Sequence, residues 1–124
     1  MKIKEAIAGV DSLNHNTYLR DDKIKWLSRL DSMVKTEVID THKGGENIKF
    51  TGYDDLTDDG TELLVQAPYD EVYLRWLEAQ IHYHNGEYDK YNNAIILFNT
   101  AFDEYKAYYT RTHLPVSSGR RFIF

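Results

Sequence analysis

The stretch from Ala67 to Thr112 constrains this chain most, because it carries two successive helical periods separated by a single Asn85-Gly86 break. In its first half Val72, Tyr73, Trp76, Ala79 and Tyr83 fall on one side of a helix, and Leu74, Leu77 and Ile81 on another. A helix apolar on more than one side needs more than one neighbour. Pro68 is tolerated near a helix start, where its missing N–H costs nothing. Asp70 is the expected N-cap, with Glu71 at the positive end of the helix dipole. Asn85-Gly86 supplies a left-handed stop. In the second half Tyr88, Tyr91, Ile95, Phe98, Phe102, Tyr105 and Tyr109 recur in steps of three and four, with Ala94, Leu97, Ala101 and Ala107 broadening the face. So short a break predicts an antiparallel helical hairpin. A single kinked helix is the alternative, since an interior glycine costs only about 1 kcal/mol.

Upstream, Ile3, Ala6, Ile7 and Val10 predict a short amphipathic helix. Asp21-Asp22 open a second helix that carries Ile24, Leu27, Leu30, Val34 and Val38, with Trp26 and Met33 alongside, and Lys43-Gly44-Gly45 closes it. The expected fold is therefore all-α, with four helices near residues 2–13, 21–42, 69–85 and 87–112. Between Gly44 and Ala67 the helical period is lost. That segment holds four glycines and, from Asp54 to Glu62, five acids in nine residues. It reads as a long acidic surface loop, anchored by Phe50, Tyr53 and Leu63, Leu64 and Val65, and long loops inside small domains are usually functional. Ile48 to Phe50 and Leu63 to Val65 are short apolar runs that could form brief strands or pack as an extended flap. After Leu114-Pro115 the chain ends in Ser117-Ser118-Gly119 and Arg120, Arg121, Phe122, Ile123, Phe124. Residues 1–114 read as one helical domain and 115–124 as an extended arm that closes back or reaches a neighbour.

The 124 residues are enough for one domain with a self-sufficient core. With no cysteine, disulfides and thiolate chemistry are excluded. No apolar run reaches membrane-spanning length and the first residues lack the pattern of a signal peptide, so a soluble intracellular chain is expected. The net charge of -5 opposes non-specific binding to DNA. Ten acids stand against three bases between Asp40 and Glu78, whereas after Glu104 only bases remain, so middle and tail attract each other within or between copies.

No chemical constellation emerges. Asp55 to Gly60 has the glycine of a calcium loop, but the third position is Thr57 and the twelfth Gln66. His82 and His84 are two apart and face different sides of a helix, whereas a helical metal pair needs three or four. There is no phosphate loop and no nucleophile elbow. An enzyme is not expected, nor any cofactor, metal or catalytic residue. If a catalytic pocket exists, Glu78, His82 and His84 mark its place.

The block from Glu62 to Ile81, then Asn85 to Asn93 and the ending Arg111-Thr-His-Leu-Pro115, with Asp11-Ser-Leu13, Tyr18 and Lys23 to Leu27 at the start, resembles a family of small tailed-phage and prophage proteins. These belong to the head-completion, or head–tail connector, class of phages that infect Gram-positive bacteria. The resemblance implies a non-catalytic, all-helical virion protein, assembled in the host cytoplasm. It would form a homo-oligomeric ring under the portal protein and meet connector proteins on the tail side, with duplex DNA passing through unbound. An acidic body eases that passage. The contact residues it leads us to expect are Phe50, Tyr53, Leu63, Leu64 and Val65 in the loop and Arg120, Arg121, Phe122, Ile123 and Phe124 in the arm, since loops carry binding on a rigid scaffold. The alternatives are a tail-completion or DNA-packaging accessory protein and a non-viral helical interaction module.

Overall fold

The computed structural model describes residues 1–116. Its elements are α1 (Ile3–Leu13), α2 (Arg20–Met33, continued by a wider π-type turn over Val34–Ile39), α3 (Glu71–His84) and α4 (Tyr88–Thr112). The all-α expectation holds, and there is no strand among the described residues, only isolated pairings of Lys2 with Glu62 and of His42 with Pro115. Of the two readings of the loop's apolar runs, brief strands or an extended flap, the strands do not form.

α3 lies at the centre because it is apolar nearly all round. Val72, Tyr73, Trp76, Leu77, Ala79, Gln80 and Ile81 are buried, and α1, α2 and α4 all pack against it. Its main partner is α4, to which Gly86 turns the chain with a φ of 76° that a side chain would resist. This is the hairpin, not a kinked helix. α1 buries Ile3, Ala6 and Val10, and nests so closely on α3 that a Cβ at Gly9 would lie 2.8 Å from a Leu74 methyl. α2 buries Ile24, Trp26, Leu27 and Leu30. Trp76 of α3 donates from its indole nitrogen to the Trp26 carbonyl at 2.7 Å, so burying this amphipathic ring leaves no orphan donor.

The helix ends differ from expectation in three places. Asp70 makes no side-chain cap and instead lies 3.5 Å from the Met1 amino group; Pro68 sits in the preceding turn. α2 starts at Arg20, one residue early, because Asp22 reaches back to accept from the Leu19 N–H at 3.3 Å. The second helix does not run regularly to His42. From Val34 it widens, the Asp40 N–H bonding the Lys35 carbonyl five residues back, and the adjacent Val38 and Ile39 are both buried. The stripe on α4 is correct from Ala94 through Phe98, Phe102, Tyr105 and Tyr109, but Tyr88, Leu97 and Ala107 face outward. Beyond α4, the Lys43 N–H donates to the Leu114 carbonyl at 2.7 Å and the Val116 N–H to the Thr41 carbonyl at 3.1 Å. Residues 114–116 are therefore tied to the end of the second helix.

Candidate interaction site

The long loop is held down by one buried carboxylate. Asp31 has no exposed surface, and three donors converge on it: the Tyr73 hydroxyl at 2.6 Å, the Tyr53 hydroxyl at 2.5 Å and the Leu64 N–H at 3.1 Å. The Tyr73 hydroxyl in turn accepts from the Val65 N–H at 2.7 Å. Burial pushes the Asp31 carboxyl above the usual range, and its three hydrogen bonds pull it only part of the way back. Burial and the neighbouring carboxylate push both phenols up as well. The carboxylate is used up in joining the loop to α2 and α3. Sequence reasoning passed over Asp31, although a signal existed: it stands four residues after Leu27 and three before Val34, on the core-facing stripe.

Around this anchor the expected loop residues divide. Phe50 and Tyr53 are half-buried, their rings edge to face at 5.1 Å, and Leu64 is partly exposed. Leu63 and Val65 are 4% and 0% exposed and pack in the chain's own core, as anchors of the loop, and Leu63 also lines the cleft between the loop and α4. The acidic tip from Asp54 to Gly60 is pinned by Arg20, which donates to an Asp59 carboxylate oxygen at 2.7 Å and to the Thr57 carbonyl at 2.8 Å. The Lys4 N–H takes the Asp59 carbonyl. Among the described residues no group of three or more His, Asp or Glu side chains is placed to hold a metal ion.

The residues that would mark a catalytic pocket do not converge. Glu78 accepts from the Asn14 amide at 3.1 Å, His82 lies 3.0 Å from Glu87, and His84 turns back to the Gln80 carbonyl and packs on Trp26. Hydrogen bonds from His82, Asn85 and Lys90 hold the Glu87 carboxyl down to about 2. These contacts close the hairpin turn.

Two open surfaces stand out among the described residues. One is a cleft of about 370 Å³ between residues 62–67 of the loop and the last turns of α4. Tyr105, Tyr108, Tyr109 and His113 form one wall, with Leu64 and Ala67 opposite and Glu62 among the lining residues. His113 stacks flat on Tyr109 at 3.8 Å and Tyr108 on Tyr69 at 4.7 Å, so ring-on-ring contacts hold the aromatic wall in place. Tyr105 and Tyr109 are 3% and 7% exposed, yet among the described residues their hydroxyls have no hydrogen-bond partner, and neither is sealed from the surface. The other surface is the outer side of α4. From Tyr91 to Phe102 twelve successive residues carry no charge, and within that run Ile96 is 60% and Leu97 45% exposed, set among Asn92, Asn93, Asn99 and Thr100.

Arg120, Arg121, Phe122, Ile123 and Phe124 lie outside the described residues. No helix among those described is long and apolar enough to cross a membrane. Comparison with protein-family models, with curated proteins and with solved structures returns no match for this chain.

Proposed function

We propose that the chain is a structural protein of a tailed phage, a head–tail connector whose copies form a ring under the portal and join capsid to tail. The observation that carries this reading is the charge-free, partly apolar outer side of the middle of α4, residues 91–102. A helix facing only water interleaves charged residues, as α4 does at Asp89-Lys90 and from Asp103 to Lys106, whereas the centre of a protein interface is depleted of charge and enriched in apolar groups. On a rigid helical hairpin such a face suits repeated contact with identical neighbours. The likeness of Glu62 to Ile81 and of Asn85 to Asn93 to phage connector proteins supports the same reading. Phe50, Tyr53 and Leu64 in the loop, and the arm from Arg120 to Phe124, supply further contacts to the portal and to tail-side proteins.

The test is the mass of the purified chain by light scattering over a concentration series, with negative-stain images of any large species and a portal-binding assay beside it. The expected result is a ring, formed alone or on the portal. Ile96→Lys with Leu97→Glu should abolish it while leaving the helical circular dichroism unchanged, and removal of residues 120–124 should weaken it. A chain that stays monomeric and does not bind portal protein refutes the proposal.

A further inference from the structure

The cleft beside Tyr105 and Tyr109 has the chemistry of a peptide receptor, and the chain carries a matching peptide. We propose that in the unassembled chain this cleft receives the chain's own C-terminal segment, with Phe122, Ile123 and Phe124 against the tyrosine wall and Arg120 and Arg121 near Glu62. Reach comes first. His113 is itself part of the wall, and three residues later Val116 is bonded to Thr41, two residues along the chain from cleft-lining Ile39. Phe122 follows Val116 by six residues, a span of up to about 20 Å. Ser117-Ser118-Gly119 offers residues that reverse a chain readily.

Chemistry comes second. The cleft falls within the roughly 300–1,000 Å³ of pockets that enclose a compact ligand, and aliphatic and aromatic groups dominate its walls. The hydroxyls of Tyr105 and Tyr109, without a partner among the described residues, can each donate to a carbonyl or accept from an N–H, which suits an extended peptide. Glu62 carries an exposed carboxylate that lies 3.4 Å from the Met1 amino group and has room for an arginine beside it, and an arginine that lies over Tyr108 adds a cation–π contact. A segment tethered so closely sees its receptor at an effective concentration on the order of millimolar, so weak contacts suffice. The contact is within one copy and does not depend on the connector reading.

The test is trypsin cleavage after Arg120 and Arg121 in the full chain, followed by mass spectrometry, with a free peptide of residues 116–124 as the unprotected reference. When docking is fast, the cleavage rate reports the undocked fraction, and we expect cleavage about tenfold slower than in the peptide. Ala67→Trp, which fills the cleft from an exposed position, should restore the peptide's rate. So should Phe122→Ser with Phe124→Ser, which leaves every described residue untouched. Cleavage of the wild-type chain at the peptide's rate overturns the proposal. Protection that survives Ala67→Trp overturns the location. Protection that grows over a roughly hundredfold rise in protein concentration assigns the cleft to a second copy, and also overturns it.

Discussion

Asp31→Ala is the substitution that most directly tests how the loop is held. It removes the acceptor of three hydrogen bonds at once. Tyr53 is partly exposed and its hydroxyl can turn to water, but the Tyr73 hydroxyl is buried and the Leu64 N–H partly so. Each enclosed donor left without a partner costs about 1–3 kcal/mol. Relief from burying a carboxylate offsets part of this. The net expectation is a loss of about 3 kcal/mol, read as a fall in urea midpoint at constant slope and as roughly 10–15 °C in melting temperature. The amides of Leu64 and Val65, bonded to Asp31 and Tyr73, should lose hydrogen-exchange protection before those of α3. Asp31→Leu combined with Tyr53→Phe and Tyr73→Phe removes both sides of two of the bonds but should recover little of the stability, because the Leu64 N–H stays unpaired and the Val65 N–H loses the Tyr73 hydroxyl as well. A loss below about 1 kcal/mol for Asp31→Ala would refute the reasoning and leave burial of Leu63 and Val65 as what holds the loop.

Tyr53, Tyr73, Tyr105 and Tyr109 all have phenols held above the ordinary value, chiefly by burial. Their neutral form is favoured in the folded chain, so this contribution is complete below about pH 10 and is lost as the pH rises beyond it. Phenolate absorbance should rise in two stages, with these four ionising only together with the loss of helical circular dichroism. Glu87 has the opposite sign: its stabilisation is present above pH 4.5 and is lost as the pH falls towards about 2. Glu87→Gln should therefore lose less stability than the wild type across that window in acid titrations of the urea midpoint. Gly86→Ala places a side chain at a φ of 76° and should cost about 1 kcal/mol by urea unfolding; an unchanged midpoint would mean that the turn relaxes freely.

The helices were legible because each is a local pattern. The steps from Phe98 to Phe102, Tyr105 and Tyr109, and the stop at Asn85-Gly86, need no knowledge of the rest of the fold, and both stand as expected. What could not be read depends on partners distant in sequence. Asp70 has the composition of a cap, but the Met1 amino group lies within reach and an ion pair forms in place of the cap. The widening after Val34 depends on which of Val38 and Ile39 must turn inward, and both do. Leu97 fits the apolar period and still faces out, since α4 has its main partner on one side only.

The candidate surfaces follow the same division. Leu63 and Val65, read from the sequence both as anchors of the loop and as contact residues, are buried in the core, since a long loop can stay over a small domain only if something fastens it. The fastening is polar as well as apolar, and its centre is an acid inside an otherwise apolar stripe. Fixing the loop there opens the cleft, because residues 62–67 are then held opposite the end of α4 at a distance that leaves Tyr105 and Tyr109 with unused hydroxyls. Cleft and anchor are thus one design: weakening Asp31 should loosen the far wall and, with it, any peptide lodged against the tyrosines. Trypsin cleavage after Arg120 in Asp31→Asn, a variant that keeps the side-chain shape, should therefore rise towards the free-peptide rate. If the loop amides lose protection while cleavage stays slow, the wall and the segment are independent, and the cleft is not where the segment lies.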